Sequence, residues 1–438
     1  MRALMLAAAS SGTGKTTISL ALNRALRNRG LQLAPFKTGP DFIDPMFHAL
    51  AAGRPCGNLD LYMQAEEGMR LALGLNPGEL SIIEGAMGYF DGLGSSFEAS
   101  SYDIARRLCI PTLLIYAPDG EMFTMVPKLK GMVDFACGQV VGILLNRTSS
   151  RSYSMIKEEI ERHCKVPVLG FLPKSAEIGV PSRYLGLLQP QEIQGVEEKI
   201  ERAAELLEKY IDVTQLIEIA GGVEPIIIKG HRQSQRLRIA AAKDEAFSFH
   251  YNENLRLFEE FGRLEFFSPL RDAALPECDF LFLGGGYPEL FSEQLSQNHS
   301  MRASILKFSQ GGGHILGMGG GLMYLSRTLD GHPMVGALDT VAQMTEVTQR
   351  FGYVQMESTG QTILGGEGLL LRGKEFHRSK VETQMTPVLS ITRQSTGERY
   401  ACGYSARNTL GMYPHINFAG AAVVLEELMK RVEGRNVH

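Results

Sequence analysis

An apolar strand that runs directly into a glycine-rich loop constrains this chain more than any other feature. Residues Ala3 to Ala8 carry no charge and lead into ASSGTGKT, Ala9 to Thr16. The loop has a Walker A pattern, with Ala9 where the first glycine normally sits. Gly12 and Gly14 let backbone N–H groups curl round phosphate oxygens, Lys15 can reach the terminal phosphates of ATP, and the Thr16 hydroxyl suits Mg²⁺. The expected nucleotide contacts are Ser11, Gly12, Thr13, Gly14, Lys15, Thr16 and Thr17. A helix follows with Ile18, Leu22 and Leu26 on one face and ends at Gly30, so its N-terminus points at the anion. The opening MRALMLAAASS resembles a short signal peptide, but a phosphate loop needs a buried strand before it, and the strand reading prevails.

The next strand ends at Lys37, which joins the expected nucleotide contacts, and Asp41, Asp44 and His48 follow on a loop and helix start. Carboxylates just beyond a strand's carboxyl end are placed to hold Mg²⁺ near phosphates. Asp44 also precedes Pro45, so a simple helix-capping role stays open. A third strand, Leu80 to Ile83, ends in EGAMGYFDG, which supplies Glu84 as a second magnesium contact and then Asp91. Strands at Thr112–Tyr116 and Val140–Leu145 follow, the latter ending in Asn146. Strands alternating with helices imply a doubly wound, mostly parallel α/β sheet with its site at the strands' carboxyl ends.

The blocks SSGTGKTT, PFKTGPDFIDPMFH, GRPCGNLD and EGAMGYFDG, continued by GFLPKSAEIGVPSRYLGL (Gly170 to Leu187), resemble the cobyrinic acid a,c-diamide synthase family. That family joins a dethiobiotin-synthetase-like ATP domain to a class I glutamine amidotransferase domain. The resemblance implies an ATP- and Mg²⁺-dependent ligase that phosphorylates a tetrapyrrole carboxylate and lets ammonia displace the phosphate. Neutralising charge on the transferring phosphoryl group then falls to Lys15 and carboxylate-held Mg²⁺. Carried over, Lys15, Asp44, Glu84 and Asp91 are catalytic, Thr16, Asp44 and Glu84 are metal ligands, and Asn146 contacts adenine. Asp91 would orient substrate or intermediate. Ala117 departs from the family, which usually has aspartate there.

The resemblance extends to the second half, with a flavodoxin-like α/β amidotransferase fold as its implication. The turn LGGGYPE matches the family's LPGGYPE except for Gly284; Gly285 there would supply a backbone oxyanion donor. In ILGMGGGLMYL, similar to the nucleophile elbow AECGGLMYL, Gly319 stands at the cysteine and Met318 at the acidic residue. Glutamine hydrolysis of this type proceeds through a thioester, so a chain with glycine here lacks the covalent route. YPHINF puts His415 at the family's catalytic histidine, where without a thiol a packed or hydrogen-bonded role is the better reading. RGKEFHRS differs from the family's RGHEFHYS at Lys374 and Arg378, extra charge that suits substrate carboxylates, a partner or only a solvated face. Because Gly284, Met318, Gly319, Lys374 and Arg378 all depart together, a natural loss of glutaminase activity is expected.

The domain expectation is an ATP-binding domain at 1–190, a helical and irregular linker at 191–235 that includes a charged amphipathic helix over Gln191–Lys209, and a glutaminase-inactive amidotransferase-like domain at 236–438. A net charge of −4 offers no footprint for nucleic acid or anionic lipid. No apolar run approaches the ~20 residues that span a bilayer. Six cysteines without CxxC spacing argue against a zinc site or disulfide framework and fit a reducing cytoplasm. The sequence leaves the tetrapyrrole open among cobalamin-pathway, nickel and siroheme rings, and the resemblance suggests a homodimer. The leading reading is an amide ligase fed by free ammonia or an external glutaminase. A ligase using another nucleophile and a non-catalytic tetrapyrrole- or nucleotide-binding regulator remain as alternatives.

Overall fold

β1 (Arg2–Ala8) lies at the centre of the first sheet because nothing in it but Arg2 needs water: Ala3 to Ala8 are all buried. The computed structural model describes residues 1–175, 178, 190, 193–228 and 237–434. The chain divides into two compact units, Met1–Leu61 with Ala65–Ile227, and Tyr62–Gln64 with Ile228 onward.

In the first unit α1 (Lys15–Asn28) follows β1, and β2 (Phe36–Thr38), α2 (Asp44–Ala52), β3 (Gly57–Leu59), β4 (Leu80–Glu84), β5 (Thr112–Tyr116), β6 (Val140–Asn146) and β7 (Val168–Leu172) come next. The strands order β3-β2-β4-β1-β5-β6-β7, all parallel, with the short Gly221–Gly222 antiparallel on β1. The chain winds one way from β1 to β3 and the other way from β5 to β7. A crevice therefore opens at the carboxyl ends of β1 and its neighbours, where such sheets hold ligands. α1 buries Ile18, Leu22 and Leu26 against the sheet, as their spacing predicts.

The segment expected as a linker is largely part of this first unit. The helix Val196–Tyr210 buries Ala203, Ala204 and Leu207 in the same apolar cluster as Leu4, Leu22 and Leu26, and Ile211, Val213 and Leu216 extend it. Arg24 on α1 pairs with Glu197 and, at 2.9 Å, with Glu201, while Arg29 makes a fork of two 2.8 Å bonds to Glu208. The charges that make this helix look like a solvated connector are the outer partners of α1's arginines. Positions 191, 192 and 229–235 of the expected linker lie outside the described residues. So does the family-like block Gly170–Leu187 from 176 on, apart from Ile178.

The second unit carries a six-stranded sheet ordered Gly262–Phe267, Leu237–Ala242, Phe280–Leu283, His314–Met318, Thr409–Met412, Tyr404–Ala406, parallel except for the last pair. Two further four-stranded sheets, largely antiparallel, occupy residues 328–383 and 350–402. The expected α/β layer is present, and these added sheets were not foreseen. Among the described residues no helix is long and apolar enough to cross a membrane.

Leu207→Ala is expected to cost about 2–5 kcal/mol of stability, the range for emptying a packed leucine site. Urea unfolding of the full chain checks it, since a leucine on a mere connector would change the midpoint little.

Candidate active site

The phosphate loop is held open by its own glycines and by β6. Gly14 has φ 91°, and a Cβ there would lie 2.2 Å from the Asn146 amide nitrogen, so only glycine fits. Asn146 donates from Nδ2 to the Thr13 carbonyl at 2.7 Å, and Arg147 donates to the Gly12 carbonyl at 3.0 Å. Asn146, expected at the adenine, braces the loop from behind. Ser11 and Gly12 face solvent, while Thr17 is half-buried in the first turn of α1.

Glu84, at the end of β4, gathers the neighbouring strands' polar groups. Its Oε1 accepts from Thr16 Oγ1 at 2.7 Å and from Lys37 Nζ at 2.8 Å. Lys37 Nζ also reaches Asp44 Oδ2 at 2.7 Å, so one ammonium bridges both carboxylates expected at the metal. His48 Nε2 lies 2.7 Å from Glu84 Oε2, close enough for an ion pair when protonated but off the hydrogen-bond direction. Asp41, two residues ahead of the N-cap Ile43, takes the N–H groups at the entry to α2: its Oδ1 accepts from Ile43 at 2.8 Å and from Asp44 at 3.3 Å. That frees the Asp44 carboxylate to face Lys37.

The electrostatics follow from crowding in a nearly dry site. Burial would raise Glu84, but the Lys37 ammonium and then His48 hold it well below the usual carboxylate range. Burial likewise pulls against the charge on Lys37, and Glu84 and Asp44 outweigh it, raising that lysine above its ordinary value. Asp44 is raised, by burial first, with Asp41 and Glu84 adding to it against the pull of Lys37. Lys15 has no such compensation: burial lowers it from 10.5 to about 8, Glu84 partly offsetting and Lys37 reinforcing. Its Nζ donates to the carbonyls of Ser10 at 3.2 Å and Met87 at 2.5 Å. Asp91 stands apart from the Glu84 cluster, exposed, with Oδ2 accepting from Gly88 N at 2.9 Å. Sequence reasoning missed Lys37 as a bridge and His48 as a partner of Glu84. The signal for His48 was its i, i+4 spacing from Asp44, which puts both on one face of α2.

In the second unit the strand His314–Met318 turns through Gly319 into the helix Gly320–Leu325. Gly319 has φ 55° and ψ −111°, the sharp and strained turn of a nucleophile elbow, here with no side chain. The space is not vacant. A Cβ on Gly319 would meet His415 Nε2 at 2.4 Å, and a Cβ on Gly285 would meet His415 Cε1 at 2.5 Å. The imidazole lies across the position a nucleophile would need. It is deeply buried, and burial, then Lys374 and neighbouring histidines, lower it to about 3, so it is neutral at ordinary pH. The Gly285 N–H, expected to face an oxyanion, donates instead to the Phe249 carbonyl at 3.2 Å. Met318 is buried and its sulfur accepts from the Ile416 N–H at 3.3 Å, a packing role where a carboxylate was the family pattern.

Residues 4–185 match the model of the CobQ/CobB/MinD/ParA nucleotide binding domain, and residues 238–423 match that of the CobB/CobQ-like glutamine amidotransferase domain. The cobyrinate a,c-diamide synthase of Clostridium tetani is 36% identical over 98% of this chain and 100% of its own length. That of Clostridium acetobutylicum is 38% identical over 98% and 100%, and that of Listeria innocua 36% over 98% and 99%. The chain belongs to the cobyrinate a,c-diamide synthase family. Within this family's two-domain plan, the chain has a glycine-rich phosphate loop with the Glu84 cluster beside it, and glycine at position 319 of the amidotransferase-like domain.

Two outcomes are expected from these geometries. Gly319→Ala should destabilise the protein by about 1–3 kcal/mol through overpacking against a buried ring. Combining it with His415→Ala should recover the part of that loss due to the ring and leave the part due to the φ of 55°, which a double-mutant cycle in urea would read as partial coupling. For Lys15, the folded chain holds fewer protons than the unfolded chain between about pH 8 and 10.5, so its contribution to stability rises with pH across that window. Polyphosphate anions return the proton. ATP binding at about pH 8.5 should therefore take up a proton, measured by calorimetry in two buffers of different ionisation enthalpy, and Lys15→Arg should abolish the uptake.

Proposed function

We propose that this chain is an ATP-dependent amide ligase acting on carboxylate side chains of a tetrapyrrole, of the cobyrinate a,c-diamide synthase type, and that it takes ammonia from solution or another protein. The observation that carries the ligase reading is the chain of contacts Thr16–Glu84–Lys37–Asp44 beside the phosphate loop. The observation that carries the ammonia source is Gly319, with His415 lying over its Cβ direction.

The phosphate loop and α1's N-terminus would bind the polyphosphate, and Lys15 would leave its carbonyl partners to meet the transferring phosphoryl group. A carboxylate oxygen of the substrate attacks the terminal phosphorus of ATP, giving an acyl phosphate and ADP. Ammonia then attacks the acyl carbon, phosphate departs with the C–O bond electrons, and the amide nitrogen loses a proton. Asp91, exposed on the turn that receives Lys15, would orient the acyl group.

The donor set suits Mg²⁺. Thr16, Glu84 and Asp44 offer hard oxygen atoms, and Glu84 Oε2 is buried without an aligned hydrogen bond. Among the described residues no three His, Cys, Asp or Glu side chains form a metal cage. An ion held here would therefore complete its shell with phosphate oxygens and water, as Mg²⁺ does. When bound it would neutralise charge on the β- and γ-phosphates. Lys37 bridges both carboxylates, and His48 lies beside the far oxygen of Glu84.

Mass spectrometry of a panel of carboxylated tetrapyrroles, incubated with Mg²⁺-ATP and either ammonium or glutamine, tests the reading. Mass decreases of about 1 Da per amidated carboxylate are expected with ammonium and not with glutamine. Amidation with glutamine would overturn the assignment of Gly319, and no amidation with either would overturn the ligase.

A further inference from the structure

The turn that takes the Lys15 ammonium has a second face. Beyond Met87 it lines an open cavity of about 550 Å³ whose apolar walls are Met87, Phe90, Phe97 and Phe135, with Asp91, Gly92, Gly94, Ser95 and Ser96 completing the lining. Cavities that hold small ligands fall in this size range, with mostly apolar walls and a few placed polar groups. Here the apolar groups stand in water: Met87 is 52% exposed, Phe97 42% and Phe135 56%. They are nonetheless ordered by the rings beneath. Phe90 packs edge-on to Phe135 at 4.9 Å between centroids and to Tyr102 at 5.1 Å, and Phe97 packs edge-on to Tyr102 at 5.5 Å.

The loop that carries this shelf is also fixed by its backbone. Tyr89 N donates to the Ala8 carbonyl at 2.8 Å, Tyr102 N to the Tyr89 carbonyl at 2.9 Å, and Leu93 N to the Glu98 carbonyl at 2.8 Å. Gly92 is pressed against the same loop, for a Cβ there would lie 2.2 Å from the Glu98 carbonyl oxygen. An apolar aromatic surface kept rigid and exposed, continuous with a phosphate-transfer site, has the features of a seat for a flat, apolar body.

We propose that Met87, Phe90, Phe97 and Phe135 seat the apolar face of the tetrapyrrole ring, with Asp91 at the edge where a peripheral carboxylate meets Lys15. The inference rests on the ligase reading above and adds to it the surface that receives the substrate. Two properties of this surface select this occupant. A ring seated on the shelf brings its rim to the turn Met87–Asp91, whose carbonyl already takes the Lys15 ammonium at 2.5 Å. The shelf itself carries no cation, so it suits the ring's face and leaves the carboxylates to the lysine end and to solvent.

The test uses the full chain and a porphyrin octacarboxylate as probe, followed by fluorescence at equilibrium, together with KM and kcat for any tetrapyrrole the wild type amidates. Phe97→Ser and Phe135→Ser, both at exposed positions, should each weaken probe binding and raise the tetrapyrrole KM about tenfold, equivalent to about 1.4 kcal/mol. Phe97→Leu should retain most of the affinity, and KM for ATP should not move in any variant. Unchanged probe affinity in both serine variants of a protein whose wild type binds the probe would overturn the shelf alone. A wild type that neither binds nor amidates any tetrapyrrole would overturn the ligase reading and the shelf with it. Weakened ATP binding with tetrapyrrole affinity intact would assign the rings to the nucleotide, and dissociation of a dimer in sedimentation with affinity intact would assign them to a second copy; either result overturns the proposal.

Discussion

Glu84 and Lys37, both almost wholly removed from solvent, form the ion pair around which the polar side chains at the end of the first unit's sheet are gathered. An isolated charge in such a place would cost several kcal/mol in lost hydration, so each exists as an ion only because the other does. The pair also fixes geometry. Glu84 comes from β4, Lys37 from β2, Thr16 from α1 and both Asp44 and His48 from α2, and a single carboxylate touches or lies beside all but one of these side chains. Four elements that the chain visits at widely separated points are thereby held in register at the end of the sheet.

The same arrangement explains why Lys15 differs from Lys37. Both are buried lysines within one crevice, yet Lys37 has two carboxylates at contact distance and Lys15 has only carbonyls. One is raised and structural; the other is lowered to about 8 and lacks a charged partner in contact. A lysine satisfied by neutral oxygens can exchange them for phosphate at modest cost, whereas Lys37 would have to abandon two carboxylates.

Much of this was legible in the chain. The apolar run before GTGKT fixed β1, the loop and α1, and the acidic ends of the next strands put Asp44 and Glu84 in one crevice, since parallel strands end together. What could not be read were partners set by tertiary distance. Nothing local says that Asp41 takes the N–H groups at the entry to α2 and releases Asp44, or that Lys37 points between two carboxylates. The helix Val196–Tyr210 misled for a related reason: its glutamates signal solvent until Arg24 and Arg29 are seen facing them. In the second unit the elbow was legible from its glycines, but the spent Gly285 donor and the ring over Gly319 depend on how far His415 reaches, which spacing does not encode.

The position of His415 also bears on what the elbow can hold. Placing a thiol at this position takes a single substitution, Gly319→Cys. With the imidazole lying 2.4 Å from where the new β-carbon would stand, that substitution meets a buried clash. The ring would have to move to admit that carbon, and the neighbouring Gly285 likewise leaves room for the ring only because it has no side chain. The backbone bends as a nucleophile elbow does, and a β-carbon at its apex would be accommodated only together with a shift of the His415 ring.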